Sequence, residues 1–264
     1  MPLHIVVCAK QVLDSEVPPS ALRVDGEARR VVAAASVSQV VNGFDEHAVE
    51  AALRIKDAQQ ARVTILSAGT SFVTEVMRKP LAMGAYDLAL LQDTLFQNTP
   101  DSAATAAVLA AGVRKLGAPD LILCGRQASD WDNAQTPLLL AEMLGLPCVT
   151  LARKVEVKDG RLRAERVIPD GYQLVESPLP ALVTVSNELG QPRYPTLRGI
   201  MGAGRKPSVL WAAADLGISA PAARVELLDL AQPQRQARCE FVDGDGEAQR
   251  AKSLALKLRE AGLV

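Results

Sequence analysis

Short apolar runs alternate with stretches of helical period from the N-terminus to about residue 144, and this alternation constrains the fold more than any other feature. The apolar runs cover residues 4–9, 63–66, 88–91 and 121–123. Each has the length and the Val/Ile/Leu content of a buried strand. Helical stretches lie between and after them. Asn42-Gly43-Phe44-Asp45 opens one that runs to about residue 58, with Asn42 or Asp45 as its cap and an apolar stripe at Val49, Ala52 and Leu53. Others cover residues 71–83, 101–116 and 138–144. Strict β–α alternation predicts an α/β fold, a doubly wound and mostly parallel sheet with helices on both faces. Composition agrees. The chain is 48% hydrophobic but only 3% aromatic, so its core is built of Ala, Val, Leu and Ile, the residues of a sheet covered on both sides.

The pattern changes after Pro147. Residues 154–158 and 161–167 alternate apolar and polar side chains around Asp159-Gly160, a two-residue hairpin signal. Residues 172–176 add a further strand, and residues 181–185 return to the main sheet. Residues 10–40, with Pro18, Pro19 and Gly26, read as polar and irregular, and Asn98 and Pro100 mark a loop. From Pro192 to Ser208 there are four basic residues, Arg193, Arg198, Arg205 and Lys206, and no acid. Beyond them strand signal is sparse until a final helix at about 246–261. These shifts predict an α/β core over residues 1–190 and a loop plus extended C-terminal arm over 191–264.

Several classes are disfavoured. Charge is balanced at 29 basic and 30 acidic residues, which leaves no footprint for nucleic acid. The cysteines at 8, 124, 148 and 239 have neither disulfide nor zinc spacing, and Cys8, Cys124 and Cys148 read as buried small hydrophobes. No metal site is expected. The sequence opens directly into a strand, and no apolar run reaches the ~18 residues of a membrane span. A cytoplasmic location is expected.

The chemistry concentrates in the segment Gly125–Thr136, between the strand at 121–123 and the helix at 138–144. A polar loop there is where open α/β sheets bind nucleotides. The helix N-terminus supplies unpaired amides and about half a positive charge, enough to hold a phosphate without a Gly-rich loop. Gln127, Ser129, Asp130, Asp132, Asn133, Gln135 and Thr136 suit the hydroxyls and base of a nucleotide. An ordinary capped loop is the competing reading. Asp130 and Asp132 also suggest Mg²⁺ held with substrate phosphates. Gly202-Ala203-Gly204 lacks the strand and helix of a dinucleotide fingerprint. His4 begins a strand and reads as structural; His47, in the first turn of its helix, stands near enough for a ligand role. No nucleophile–base–orienter set assembles. An ATP-using ligase or hydrolase, a nucleotide-sensing module and a non-catalytic nucleotide scaffold all stay open at this level.

Five segments resemble the β subunit of electron transfer flavoproteins. They are Cys8-Ala9-Lys10-Gln11-Val12; Asn42-Gly43-Phe44-Asp45 with Ala48-Val49-Glu50-Ala51-Ala52; Leu81-Ala82-Met83-Gly84-Ala85; the 125–136 loop; and Leu179-Pro180-Ala181-Leu182-Val183-Thr184-Val185 followed by Pro192-Arg193-Tyr194-Pro195-Thr196-Leu197-Arg198-Gly199-Ile200-Met201. The resemblance implies an electron-carrier subunit and not an enzyme. It implies a heterodimer with an α subunit, with FAD at the interface bound mainly by that subunit. Electrons would come from an acyl-CoA or related dehydrogenase and pass to a quinone oxidoreductase or other acceptor. The β subunit would bind AMP or, as in electron-bifurcating relatives, a second FAD. Nucleotide contacts would fall at Cys8, Asn42, Gly43, Phe44, Asp45, Ala68, Gly125, Arg126, Gln127, Ala128, Asp130, Asp132, Asn133, Ala134, Gln135 and Thr136, with Phe44 near the interface flavin. Partner recognition would fall at Arg193, Tyr194, Leu197, Ile200 and Met201, with Leu197 as the apolar anchor, and the C-terminal arm would pack on the α subunit. Trp131 stands where AMP-binding members usually have an acid, and Ala134 where they have Asn. The segment Asp101-Ser102-Ala103-Ala104-Thr105 resembles one beside the second flavin of bifurcating members. The second nucleotide is therefore open between AMP and FAD.

Overall fold

The computed structural model describes residues 2–97, 101–220, 222–233 and 239–264; the loop residues Asn98 and Pro100 lie outside them. Residues up to Leu230 form one compact unit and residues 231–264 another. In chain order the first unit contains β1 (Leu3–Cys8), β2 (Gln11–Leu13), β3 (Leu22–Asp25), β4 (Arg30–Ala33), β5 (Gln39–Val41), α1 (Gly43–Ala58), β6 (Ala61–Gly69), α2 (Thr74–Met83), β7 (Asp87–Gln92), α3 (Ser102–Leu116), β8 (Leu121–Gly125) and α4 (Thr136–Leu144). It continues with β9 (Cys148–Lys158), β10 (Arg161–Ile168), β11 (Gly171–Pro178), β12 (Ala181–Val185), α5 (Leu197–Ala203), β13 (Ser208–Trp211) and α6 (Ala213–Leu216). The second unit contains α7 (Glu247–Glu260), within a residue of the expected helix.

The main sheet has nine strands in the order β11-β10-β9-β12-β8-β1-β6-β7-β13. It is the expected doubly wound sheet. β1 pairs in parallel with β6 on one side and β8 on the other, so the chain reverses direction across the sheet at β1. The crevice at such a reversal is the usual ligand site of an open α/β sheet. Packing is two-sided. Ala48, Ala52 and Leu53 of α1 and Met77 and Leu81 of α2 cover one face. Ala106, Leu109 and Val113 of α3 and Leu140 and Ala141 of α4 cover the other. The alanines let helices sit close to the sheet, which is how a core with few aromatics fills its volume.

The hairpin forms as expected. β9 pairs antiparallel with β10, and Asp159 (φ 52°) and Gly160 (φ 72°) make the turn. β11 extends this antiparallel edge. β9 also runs parallel to β12, and the register shifts beside Leu151, which sits at φ 56°.

Three local expectations are corrected. Residues 10–40 are not wholly irregular: β2 pairs with β5 and β3 with β4. Their alternation was hidden by short length and by the prolines between them. β13 pairs in parallel with β7 at the sheet edge, although four residues with Val209 and Leu210 exposed carry almost no strand signal. Cys148 is exposed, whereas Cys8 and Cys124 are buried as expected. Among the described residues no helix is long and apolar enough to cross a membrane.

Candidate functional site

A cavity of about 520 Å³ opens over the C-terminal ends of β1, β6 and β8, within the usual size range of small-molecule sites. Cys8, Asp45, Ala68, Gly125, Gln127, Ala128, Asn133, Ala134, Gln135 and Thr136 line it, as does Trp131. Asn42, Gly43, Phe44, Arg126, Asp130 and Asp132 are not among its lining residues. Several of them hold the lining in place.

Asp45 and Asn42 do most of this. Asp45 is only 7% exposed. One carboxylate oxygen accepts the Lys10 N–H at 2.8 Å, just past β1, and the other accepts the Gly125 N–H at 3.0 Å, at the end of β8. A single carboxylate thus staples the two strands that flank the reversal. Gly125 permits this because a Cβ there would lie 2.5 Å from Asp45 Oδ1 and 2.6 Å from the Phe44 carbonyl carbon. Asn42 precedes α1, but its side chain does not cap the helix, contrary to one expectation. It is fully buried and turned outward to the loop, donating to Gln127 O at 2.9 Å and accepting from Ser129 N at 3.2 Å. Asp45 does not cap the helix through a first-turn amide either; the two amides it accepts are those of Lys10 and Gly125.

The rest of the loop is fastened at intervals. Lys10 Nζ donates to Asp130 Oδ2 at 2.6 Å, Gln127 Nε2 to Asp132 Oδ1 at 2.8 Å, and Asn133 Nδ2 to Ser102 Oγ at 3.4 Å. An aspartate already neutralised by a lysine is a poor ligand for Mg²⁺, so the geometry weighs against the magnesium reading. Asp132 (φ 51°) and Ala134 (φ 54°) occupy left-handed backbone conformations. For alanine, with no side-chain bond in compensation, this costs roughly 1–2 kcal/mol. The strained turn delivers the chain to the start of α4, where the Gln135 side chain makes no cap bond. Gln135, Thr136 and Pro137 line the cavity there; Pro137 brings no N–H, and the remaining amides of a helix start suit an anion.

The cavity also extends where the loop does not reach. Ser102, Thr105, Val108 and Leu109 of α3 line one side, and Phe72 and Phe96 contribute aromatic surface. The 101–105 segment is the one singled out by the resemblance, whereas Phe72 and Phe96 are isolated aromatics in loops, which carry no sequence pattern. Asp101 caps α3 through Ala104 N at 2.9 Å and accepts the amides of Arg224 and Val225, so a later segment passes beside the cavity. Ala220 and Ala223 of that segment line it. His47 does not. Its Nδ1 lies 2.8 Å from Gly43 O within its own helix. His4 contacts Thr64 Oγ1 at 3.0 Å at the far end of the sheet, where burial and the nearby Arg62 lower its pKa.

Burial pushes the Asp45 carboxyl up to about 7, against the opposing pull of the Lys10 amide, the Asn42 side chain, the Gly125 amide and the Lys10 charge. The folded state therefore holds a proton that the unfolded chain releases near pH 4. Stability from this group is complete below that pH and is lost as pH rises through about 7. Unfolding free energy should fall with pH in wild type relative to Asp45→Asn, by up to about 1.4 kcal/mol per unit between pH 4 and 7. Parallel pH profiles from chemical denaturation would contradict this.

A second cluster lies away from the cavity. Tyr194 is 79% exposed, Leu197 75% and Met201 73%, and Ile200 is also exposed. Three of these four sit on α5, which Thr196 caps through Gly199 N at 3.0 Å. Gly199 lies against α2 so closely that a Cβ would be 2.2 Å from Ala82 O. Arg193 is not exposed in the same way; it is tied to Glu50 and Asp57.

Residues 30–216 match the family model described as the electron transfer flavoprotein domain. Over 211 residues the chain is 38% identical to the electron transfer flavoprotein subunit beta of Megasphaera elsdenii, covering 77% of this chain and 76% of that one. The chain belongs to the electron transfer flavoprotein β-subunit family. The same-named subunit of Clostridium acetobutylicum is 38% identical over 216 residues, 82% of this chain and 81% of that one. The caffeyl-CoA reductase–Etf complex subunit CarD of Acetobacterium woodii is 34% identical over 268 residues, 99% of this chain and the whole of that one.

Proposed function

We propose that this chain is the β subunit of an electron transfer flavoprotein heterodimer and that its cavity holds an adenine nucleotide. The carrying observation is the stapled reversal point, where Asp45 and Asn42 fasten the 125–136 loop and the start of α4 lines the cavity. The amides near Ala134–Thr136, with the Thr136 hydroxyl, are read as the phosphate contacts, and Gln127, Asn133 and Gln135 as contacts for ribose and base. AMP and FAD share this adenylate end. The continuation of the cavity along α3 to Phe72 and Phe96 supports FAD, whose ring system needs an apolar slot beyond the phosphates.

When bound, a flavin supplies the one- and two-electron chemistry, and this chain's residues bind and orient it. Phe44 stacks with the Arg126 guanidinium at 4.9 Å and offers an aromatic face outside the cavity, in keeping with a place beside an interface flavin held mainly by the α subunit. The apolar group Tyr194, Leu197, Ile200 and Met201 is read as the docking segment for an acyl-CoA or related dehydrogenase. Residues 231–264 are read as the arm that packs on the α subunit. A quinone oxidoreductase or other acceptor completes the electron path.

Co-expression with an α-type subunit tests the reading. A yellow complex with the visible spectrum of a protein-bound flavin is expected. A colourless complex, or no complex, would contradict it. The ATP-using ligase or hydrolase alternative instead requires magnesium-dependent ATP turnover that Asp132→Ala abolishes.

A further inference from the structure

The docking segment joins the molecule through one buried carboxylate. Glu50, on α1, is 5% exposed. Its Oε2 accepts the Arg193 backbone amide at 3.1 Å and Arg193 Nε at 2.8 Å, and its Oε1 accepts Arg193 Nη2 at 3.3 Å and Arg54 Nε at 2.9 Å. Arg193 Nη2 also reaches Asp57 Oδ2 at 2.8 Å, and Arg54 Nη1 donates to Leu189 O at 3.0 Å. Burial opposes charge on Glu50, but the Arg193 and Arg54 guanidinium groups outweigh it and hold the carboxyl below its usual range. The far end of the segment is fixed by Lys206, whose ammonium donates to Leu81 O at 2.7 Å and Ala85 O at 2.6 Å.

This is more organisation than a surface loop needs. A bidentate guanidinium–carboxylate pair fixes direction as well as distance, and here the pair is sheltered from solvent on its acidic side. The chain that leaves it exposes large apolar side chains at Tyr194 and Leu197. Holding such side chains in a binding-ready arrangement removes ordering entropy from association.

We infer that Glu50 is a positioning residue for partner docking, presetting residues 193–201 through Arg193 so that the apolar anchors meet a partner already ordered. The inference rests on the reading of that segment as the docking element. It ties the Arg193 guanidinium to α1, and leaves Arg198 and Arg205 as the cations that face a partner.

The test uses the flavin-loaded heterodimer and a dehydrogenase that reduces it, with Leu197→Ala as reference. Glu50→Gln keeps the side chain's shape and removes the charge. It should raise KM for the dehydrogenase about two- to tenfold, as expected when a few side chains must be ordered on binding. kcat and the flavin spectrum should stay at wild-type values, and amide exchange should quicken over residues 190–196. Arg193→Lys, which keeps the charge but loses the fork, should fall between. An unchanged KM and unchanged exchange in Glu50→Gln would overturn the positioning role, as would a loss confined to kcat. If Leu197→Ala itself leaves KM unchanged, the docking reading fails, and the inference with it. If Leu197→Ala weakens docking and Glu50→Gln does not, only the positioning role falls.

Discussion

Replacing Gly125 with alanine is expected to lower the melting temperature of the protein by roughly 4–24 °C and to release the nucleotide proposed for the cavity. The added Cβ would meet Asp45 Oδ1 at 2.5 Å, the Phe44 carbonyl carbon at 2.6 Å and Asp45 N at 2.8 Å. Two of those three atoms are backbone, so no rotamer change relieves the contact. Either α1 withdraws at its N-terminus or β8 ends early, and the Gly125 N–H···Asp45 bond is lost in both cases. Overpacking of this kind costs typically 1–3 kcal/mol, and a buried carboxylate stripped of a donor adds about 1–3 kcal/mol. For a chain of this size each kcal/mol is worth about 2–4 °C. Differential scanning calorimetry and nucleotide analysis of the purified variant check both halves. A variant with wild-type melting temperature and full nucleotide content would show that Asp45 does not hold the reversal point.

Gly199→Ala should do the opposite: little to stability, much to docking. The new Cβ would sit 2.2 Å from Ala82 O and 3.2 Å from Thr196 Oγ1. α5 must lift from α2, carrying Leu197, Ile200 and Met201 with it. Only Ala203 of α5 is buried, so the melting temperature should hardly move. Partner recognition should fall steeply. Burying one leucine is worth about 1.5–3 kcal/mol, so KM for the dehydrogenase should rise tenfold or more. Steady-state kinetics at varied dehydrogenase concentration is the measurement. A wild-type KM would remove α5 from the docking account.

The two variants divide the protein as its sequence does. Asn42, Asp45 and the 125–136 loop were legible because α/β alternation places them at strand ends, where a polar cluster stands out. Their roles were not. Asn42 reads as a cap from its place before α1, yet its side chain serves a loop 85 residues away. Asp45 reads as a cap, yet it bridges Lys10, just past β1, and Gly125, which ends β8. Both bonds depend on tertiary proximity, which local pattern does not encode. Likewise Arg193 reads as one of four surface cations, because the carboxylate that claims it is 143 residues earlier in the chain. β13 escaped notice because it is short and half exposed, and pairing with β7 alone makes it a strand.

The cavity is proposed to hold an adenine nucleotide beside the interface flavin. Acid extraction of the purified heterodimer, followed by chromatographic quantitation of FAD and AMP, tests it directly. The account expects two nucleotides per heterodimer, both FAD if the α3 extension is occupied, or FAD and AMP if the adenylate end alone is used. A single FAD per heterodimer with no further nucleotide would contradict it.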